Sequence, residues 1–178
     1  MEAKTNITLA WISFVALLTI LRTGYAGECS RINPSDVAAA CGGSNSQIEL
    51  VEKELPATVR GLIAGGECSF RNNQNKGMGY FVTTKPPTSS VTTFTQFHEK
   101  TYKINSPFIS NTILEEKSGP PGEIYFYVKT IQMKKDIFYR VHFYKKGYDC
   151  SVVLLADICP NAAAGVKGLA SKIDSNLK

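Results

Sequence analysis

The chain has 178 residues, 43% of them hydrophobic and 20% charged, with a formal net charge of +5. That is enough apolar material for one domain with a sizeable core. Its lysines and arginines are scattered, without a long basic run or an aromatic-interleaved basic face, so the charge speaks for solubility rather than for a nucleic-acid partner.

The first residues have the pattern of a secretory signal: Lys4, an apolar run from Ile7 to Leu21, then Gly24-Tyr25-Ala26 with small residues at both recognition positions. Cleavage is expected after Ala26. The run is interrupted by Thr8, Ser13 and Thr19 and is barely long enough to span a bilayer, so a membrane anchor is the weaker reading. Cleavage removes Lys4, Arg22, Glu2 and the single tryptophan, Trp11, and leaves one domain, residues 27–178, with a net charge of +4. All five cysteines, Cys29, Cys41, Cys68, Cys150 and Cys159, fall in it, which in an oxidising compartment predicts two disulfides and one thiol left over.

Residues 27–46 are small and polar and predict a tethered segment with at most one helical turn, capped by Ser35 or Asp36. Gln47–Leu55 fits either a helix (Ile48, Val51, Leu55) or a strand, and Pro56 ends it. Short strands are then expected over Thr58–Ala64, Glu67–Arg71, Gly79–Thr84, the Thr-rich Ser89–His98, a return through Tyr102 and Ile104, and Phe108–Leu114. The densest strand-forming run, Gly122–Pro160, predicts three more, Ile124–Met133, Ile137–Tyr144 and Asp149–Ala156, separated by two lysine-rich hairpin turns. After Cys159-Pro160, Val166, Leu169, Ile173 and Leu177 recur at helical spacing. The fold class that follows is all-β, a sandwich or an up-and-down barrel of about eight strands, followed by a C-terminal α-helix.

Phe138-Tyr139-Arg140-Val141-His142-Phe143-Tyr144, followed by Tyr148-Asp149-Cys150-Ser151-Val152-Val153-Leu154-Leu155, resembles the last two barrel strands of the lipocalins, particularly the divergent secreted lipocalins of blood-feeding arthropods. Asp157-Ile158-Cys159-Pro160 then leads into a helix, as that family's barrel closure does. The family's usual Gly-x-Trp is missing, since the mature chain has no tryptophan. The resemblance implies a closed eight-stranded antiparallel barrel with a pocket at one end for one small ligand: a lipid, a pheromone, a pigment or a biogenic amine. Some salivary members act on host proteins instead.

On the second strand of the dense run, Ile137, Tyr139, Val141 and Phe143 share one face, and Phe138, Arg140, His142 and Tyr144 the other. The first set is the more apolar and is expected inside, with Tyr139, Val141 and Phe143 lining the pocket and Arg140 and His142 facing water or the terminal helix. On the preceding strand both faces are aromatic and the register is open; Phe126 is the pocket candidate there. His98 and His142 match no metal-ligand or catalytic spacing and are expected to be exposed strand residues. No nucleophile, paired carboxylate or phosphate loop stands out, so neither enzymatic activity nor a cofactor is expected. Cys29 and Cys41 are expected to bond to Cys150 and Cys159 rather than to each other, because a long closed loop restrains the unfolded chain most; Cys68 is then the odd thiol.

A secreted protein that sequesters a small hydrophobic or amine ligand is the leading expectation. The rival is a secreted protease inhibitor or host-directed protein working through surface loops, with Gln47–Leu55 as a helix laid over a cystatin-like sheet.

Overall fold

The computed structural model describes residues 27–43, 48–55, 63–85, 90–102, 106 and 108–177, with only the backbone of 54, 55, 63 and 64. The expected signal segment lies outside them. Within them a 3-10 turn over Glu28–Arg31 precedes helix α1 (Pro34–Cys41), strands β1 (Glu49–Leu55), β2 (Ile63–Arg71) and β3 (Gly77–Lys85), and helix α2 (Val91–Tyr102). Strands β4 (Ile109–Ser118), β5 (Ile124–Gln132), β6 (Lys135–Lys145) and β7 (Tyr148–Leu155) and helix α3 (Ala162–Asn176) follow. The ambiguous segment Gln47–Leu55 thus contributes a strand, which removes the helix that the cystatin-like alternative required.

The seven strands form one antiparallel sheet in the order β1-β2-β3-β7-β6-β5-β4. The dense run gives the expected meander β5-β6-β7. Its first hairpin turns on Met133 and Lys134 and its second on Lys146 and Gly147, each pair with both φ angles positive, as two-residue turns matching the strand twist require. The expected closed barrel of eight strands is, among the described residues, a sheet of seven that is not closed: β3 pairs with β7, not with β4, and β1 and β4 are the two edges.

The cause is Ser89–His98, expected as a strand but helical from Val91 onward. Ser90 and Thr93 cap each other: the Thr93 N–H donates to Ser90 Oγ at 3.1 Å and the Ser90 N–H to Thr93 Oγ1 at 2.9 Å. The hydroxyls of Thr95 and Thr101 donate back to the carbonyls of Val91 and Phe97. Threonines that favour strands by shape are accommodated here by local hydrogen bonds. Phe94, His98 and Tyr102, four residues apart, form the buried stripe.

The sheet is covered on both faces. Under α3 lie Phe70, Phe81, Val141, Phe143, Val152 and Leu154, packed with Val166, Leu169 and Ile173. Helix α1 joins this side; Asn33 rather than Ser35 caps it, in a reciprocal box with Asp36. Two disulfides fasten the layer, Cys29–Cys68 and Cys41–Cys159. Both N-terminal cysteines therefore bond to later ones, but the expected role of Cys150 is corrected: it is the free, buried thiol, and Cys68 is bonded. The Glu28–Arg31 turn lies against β2, with Glu28 over Gly66, which brings Cys29 to Cys68. Burial raises the Cys150 thiol pKa well above its ordinary value, so it is an unreactive core residue.

Gly165 sits where α3 crosses α1, and a Cβ there would run into the Ala40 carbonyl; Gly168, three residues on, faces open space. Gly168→Ala is expected to stabilise the protein by up to about 1 kcal/mol through helix propensity. Gly165→Ala should lower stability despite the same propensity gain. Urea unfolding of the two variants checks this, and equal shifts would mean that α1 and α3 do not touch at Gly165.

Candidate functional site

The opposite face carries a different set of residues. Direct cross-strand partners share a face, and Phe126 pairs with His142, which pairs with Ser151. Val128, Arg140 and Val153 form the next row, and Ile124, Tyr144 and Asp149 the row on the other side. Helix α2 lies over this surface. Phe94, Tyr102, Ile124, Phe126, Val128 and Tyr144 form its apolar cluster.

At one side of that cluster the polar groups converge. His98 of α2 and His142 of β6 have ring centroids 4.1 Å apart. Both aim Nε2 at the carboxylate of Asp149, at 3.3 Å for His98 and 4.0 Å for His142. The Tyr102 hydroxyl is hydrogen-bonded to His142 Nδ1. Phe94 packs edge-on against His98 at 4.4 Å, and Tyr102 stacks on it at 5.6 Å. The side chain of His98 is 2% exposed and that of Asp149 22%, so the carboxylate is the group that reaches solvent. Two buried nitrogens, His98 Nδ1 and Arg140 Nε, have no hydrogen-bond partner among the described residues, although Arg140 is also hydrogen-bonded to Tyr102.

Burial pushes the Tyr102 hydroxyl up to about 12, with Asp149 and Tyr80 adding to the rise and the Arg140 guanidinium opposing it, so it stays protonated. Burial is also the main reason the His142 imidazole lies well below its ordinary value; His98 and Arg140 lower it further. A neutral imidazole in this position can accept or donate a hydrogen bond or bind a metal ion.

Of the residues expected to line a pocket, Phe126 is on the α2 face, fully buried. Val141 and Phe143 are on the α3 face, in register with Tyr127 and Tyr125. Tyr139 shares that face, stacks on Tyr127 at 6.2 Å and donates its hydroxyl to Asp136. The four therefore do not meet in one site. The expectation that Arg140 and His142 face water or the terminal helix is corrected, because they lie on the face under α2. His98 is not an exposed strand residue but a buried helical one. The sequence signal that could have found the site was the helical spacing of Phe94, His98 and Tyr102.

No protein family, no curated protein and no solved structure matches this chain. Among the described residues no helix is long and apolar enough to cross a membrane. The two disulfides are consistent with an oxidising, extracellular setting.

Because His142 titrates lower in the folded protein than in the unfolded chain, its contribution to stability is complete above about pH 6.5 and declines as pH falls below that toward the depressed folded value. The groups facing it are His98, Tyr102 and Phe94 from α2, Phe126 from β5, Arg140 from its own strand and Asp149 and Ser151 from β7. Chemical denaturation from pH 7.5 to 5 should show this decline in the native chain and a flatter profile in His142→Gln. Identical profiles would place His142 in water.

Proposed function

We infer that the protein is a secreted, non-catalytic binder of a small, mainly apolar molecule carrying one polar or basic group, taken up between α2 and the sheet. The observation that carries this reading is the hydrogen-bonding capacity of His98 Nδ1 and Arg140 Nε left unmet among the described residues, beside an aromatic-lined surface. Buried polar groups are nearly always paired, and an unpaired one costs about 1–3 kcal/mol. A ligand with a matching polar group relieves that cost while its apolar body lies against Phe94 and Phe126. Ligand sites commonly combine such an apolar lining with a few convergent polar groups. Asp149, the carboxylate at the solvent side, favours an amine, and the surrounding aromatic rings would add cation–π attraction. Entry requires α2 to shift, and a single stripe of three residues is what seats it. In the finer architecture we propose, which follows the lipocalin resemblance, β1 and β4 approach each other so that this face becomes the inside of a barrel.

Mass spectrometry of small molecules released from the natively purified protein is expected to show one compound, stoichiometric and apolar with a polar group. Arg140→Met should weaken its rebinding at least tenfold, and Tyr139→Ala, on the other face, should leave it within about twofold; a tenfold change corresponds to about 1.4 kcal/mol. Recovery of no compound, or the reverse ranking of the two variants, contradicts the reading.

A second reading, a host-directed interaction protein, draws on one observation. Phe108, Ile109 and Met133 are exposed together, and the Met133 N–H donates to the Phe108 carbonyl at 3.3 Å. Replacing Phe108 and Met133 with serine should leave small-molecule binding intact under the first reading and abolish activity under the second.

A further inference from the structure

We propose that His98, His142 and Asp149 form a binding site for one divalent transition-metal ion of the zinc class. One donor atom from each of the three lies within 4.8 Å of the others. A tetrahedral ion with bonds of about 2.0–2.2 Å holds its ligands about 3.4 Å apart. His98 Nε2 lies 3.3 Å from Asp149 Oδ2 and His142 Nε2 4.0 Å from Asp149 Oδ1, distances near that spacing but to different oxygens, so closure around an ion turns the carboxylate and draws the rings in.

The donor types suit the ion. Imidazole nitrogens and a single carboxylate favour zinc, cobalt or nickel over the oxygen-seeking calcium and magnesium. A ring nitrogen on the far side of a metal ligand is usually bonded to an acceptor that fixes the ring, and the Tyr102 hydroxyl occupies that place at His142 Nδ1. With the ion on Nε2, Nδ1 carries the proton and donates to the Tyr102 oxygen. That makes Tyr102 a positioning residue. The Asp149 carboxylate offsets one unit of the ion's charge and keeps the site open to solvent, so three protein ligands leave a fourth position for water or a ligand atom. The Arg140 guanidinium, over the Phe138 ring at 5.0 Å and hydrogen-bonded to Tyr102, is the one nearby charge that opposes cation binding among the described residues.

The site lies on the same face as the small-molecule reading but stands without it, because titration with metal alone tests it. Cobalt(II) added to the purified, chelator-treated protein should bind at one equivalent, give the visible bands of a four- or five-coordinate ion, and be displaced by zinc. Asp149→Asn, at a partly exposed position, and His142→Gln should each lose that spectrum. Tyr102→Phe should keep the spectrum but weaken binding about 10–100-fold. Near-ultraviolet circular dichroism confirms that each variant is folded; for one that is not, Asp149→Asn alone decides the matter. Three results overturn the proposal: no one-equivalent cobalt spectrum, a spectrum unchanged in Asp149→Asn, or a sulfur-to-metal charge-transfer band that Cys150→Ser abolishes.

Discussion

The contact on which the rest of the structure depends is the seating of Phe94, His98 and Tyr102 against Phe126, His142 and Tyr144. It is apolar enough to hold a helix of three turns that isolated peptide physics would leave marginal. Because residues 91–102 are spent on that helix, the chain leaves β3 in the middle of the sheet and returns at its far edge as β4. The same seating carries His98 to within reach of Asp149. Topology and site follow from one stripe at a four-residue spacing.

The two faces of the sheet divide the labour. Under α3 the surface is apolar and tied down by disulfides closing loops of 39 and 118 residues. In the chain-entropy picture these contribute about 4 and about 5 kcal/mol. That layer fixes β2, β3, β7 and β6 as a rigid platform. The α2 face has aromatic rings, two imidazoles, a carboxylate and nitrogens unpaired among the described residues in place of close-packed aliphatics. A protein can hold such polar groups under a helix when the other side of the same strands supplies the stability. Sites of this kind are where local rules are commonly broken in exchange for function.

The sequence made the strongest local patterns legible. The β5-β6-β7 meander follows from dense β-branched and aromatic residues with short lysine-rich turns, and α3 from the spacing of Val166, Leu169 and Ile173. The helix at 91–102 was hidden because Val91, Thr92, Thr93 and Thr95 favour strands by shape, while the reciprocal Ser90–Thr93 cap depends on geometry that a residue list does not display. The facing of β6 was misjudged for a related reason. Apolarity alone marks Val141 and Phe143 as inward, which holds for a sheet with one buried face; here both are covered, and the more polar alternates line the site. The cysteine pairing failed on proximity. Cys68 lies directly beside the turn that carries Cys29, whereas Cys150, although on the same face, is paired across to Thr83 and Phe143 in the middle of the sheet.

The most direct measurement is nuclear magnetic resonance of the labelled protein. Helical Cα shifts over residues 91–102 are predicted, together with nuclear Overhauser contacts from the Phe94 ring to Phe126 and Tyr144 and from Tyr102 to His142. Extended shifts over those residues, with cross-strand amide contacts to β3 or β4 in place of the ring contacts, would contradict the placement of α2 and with it the site.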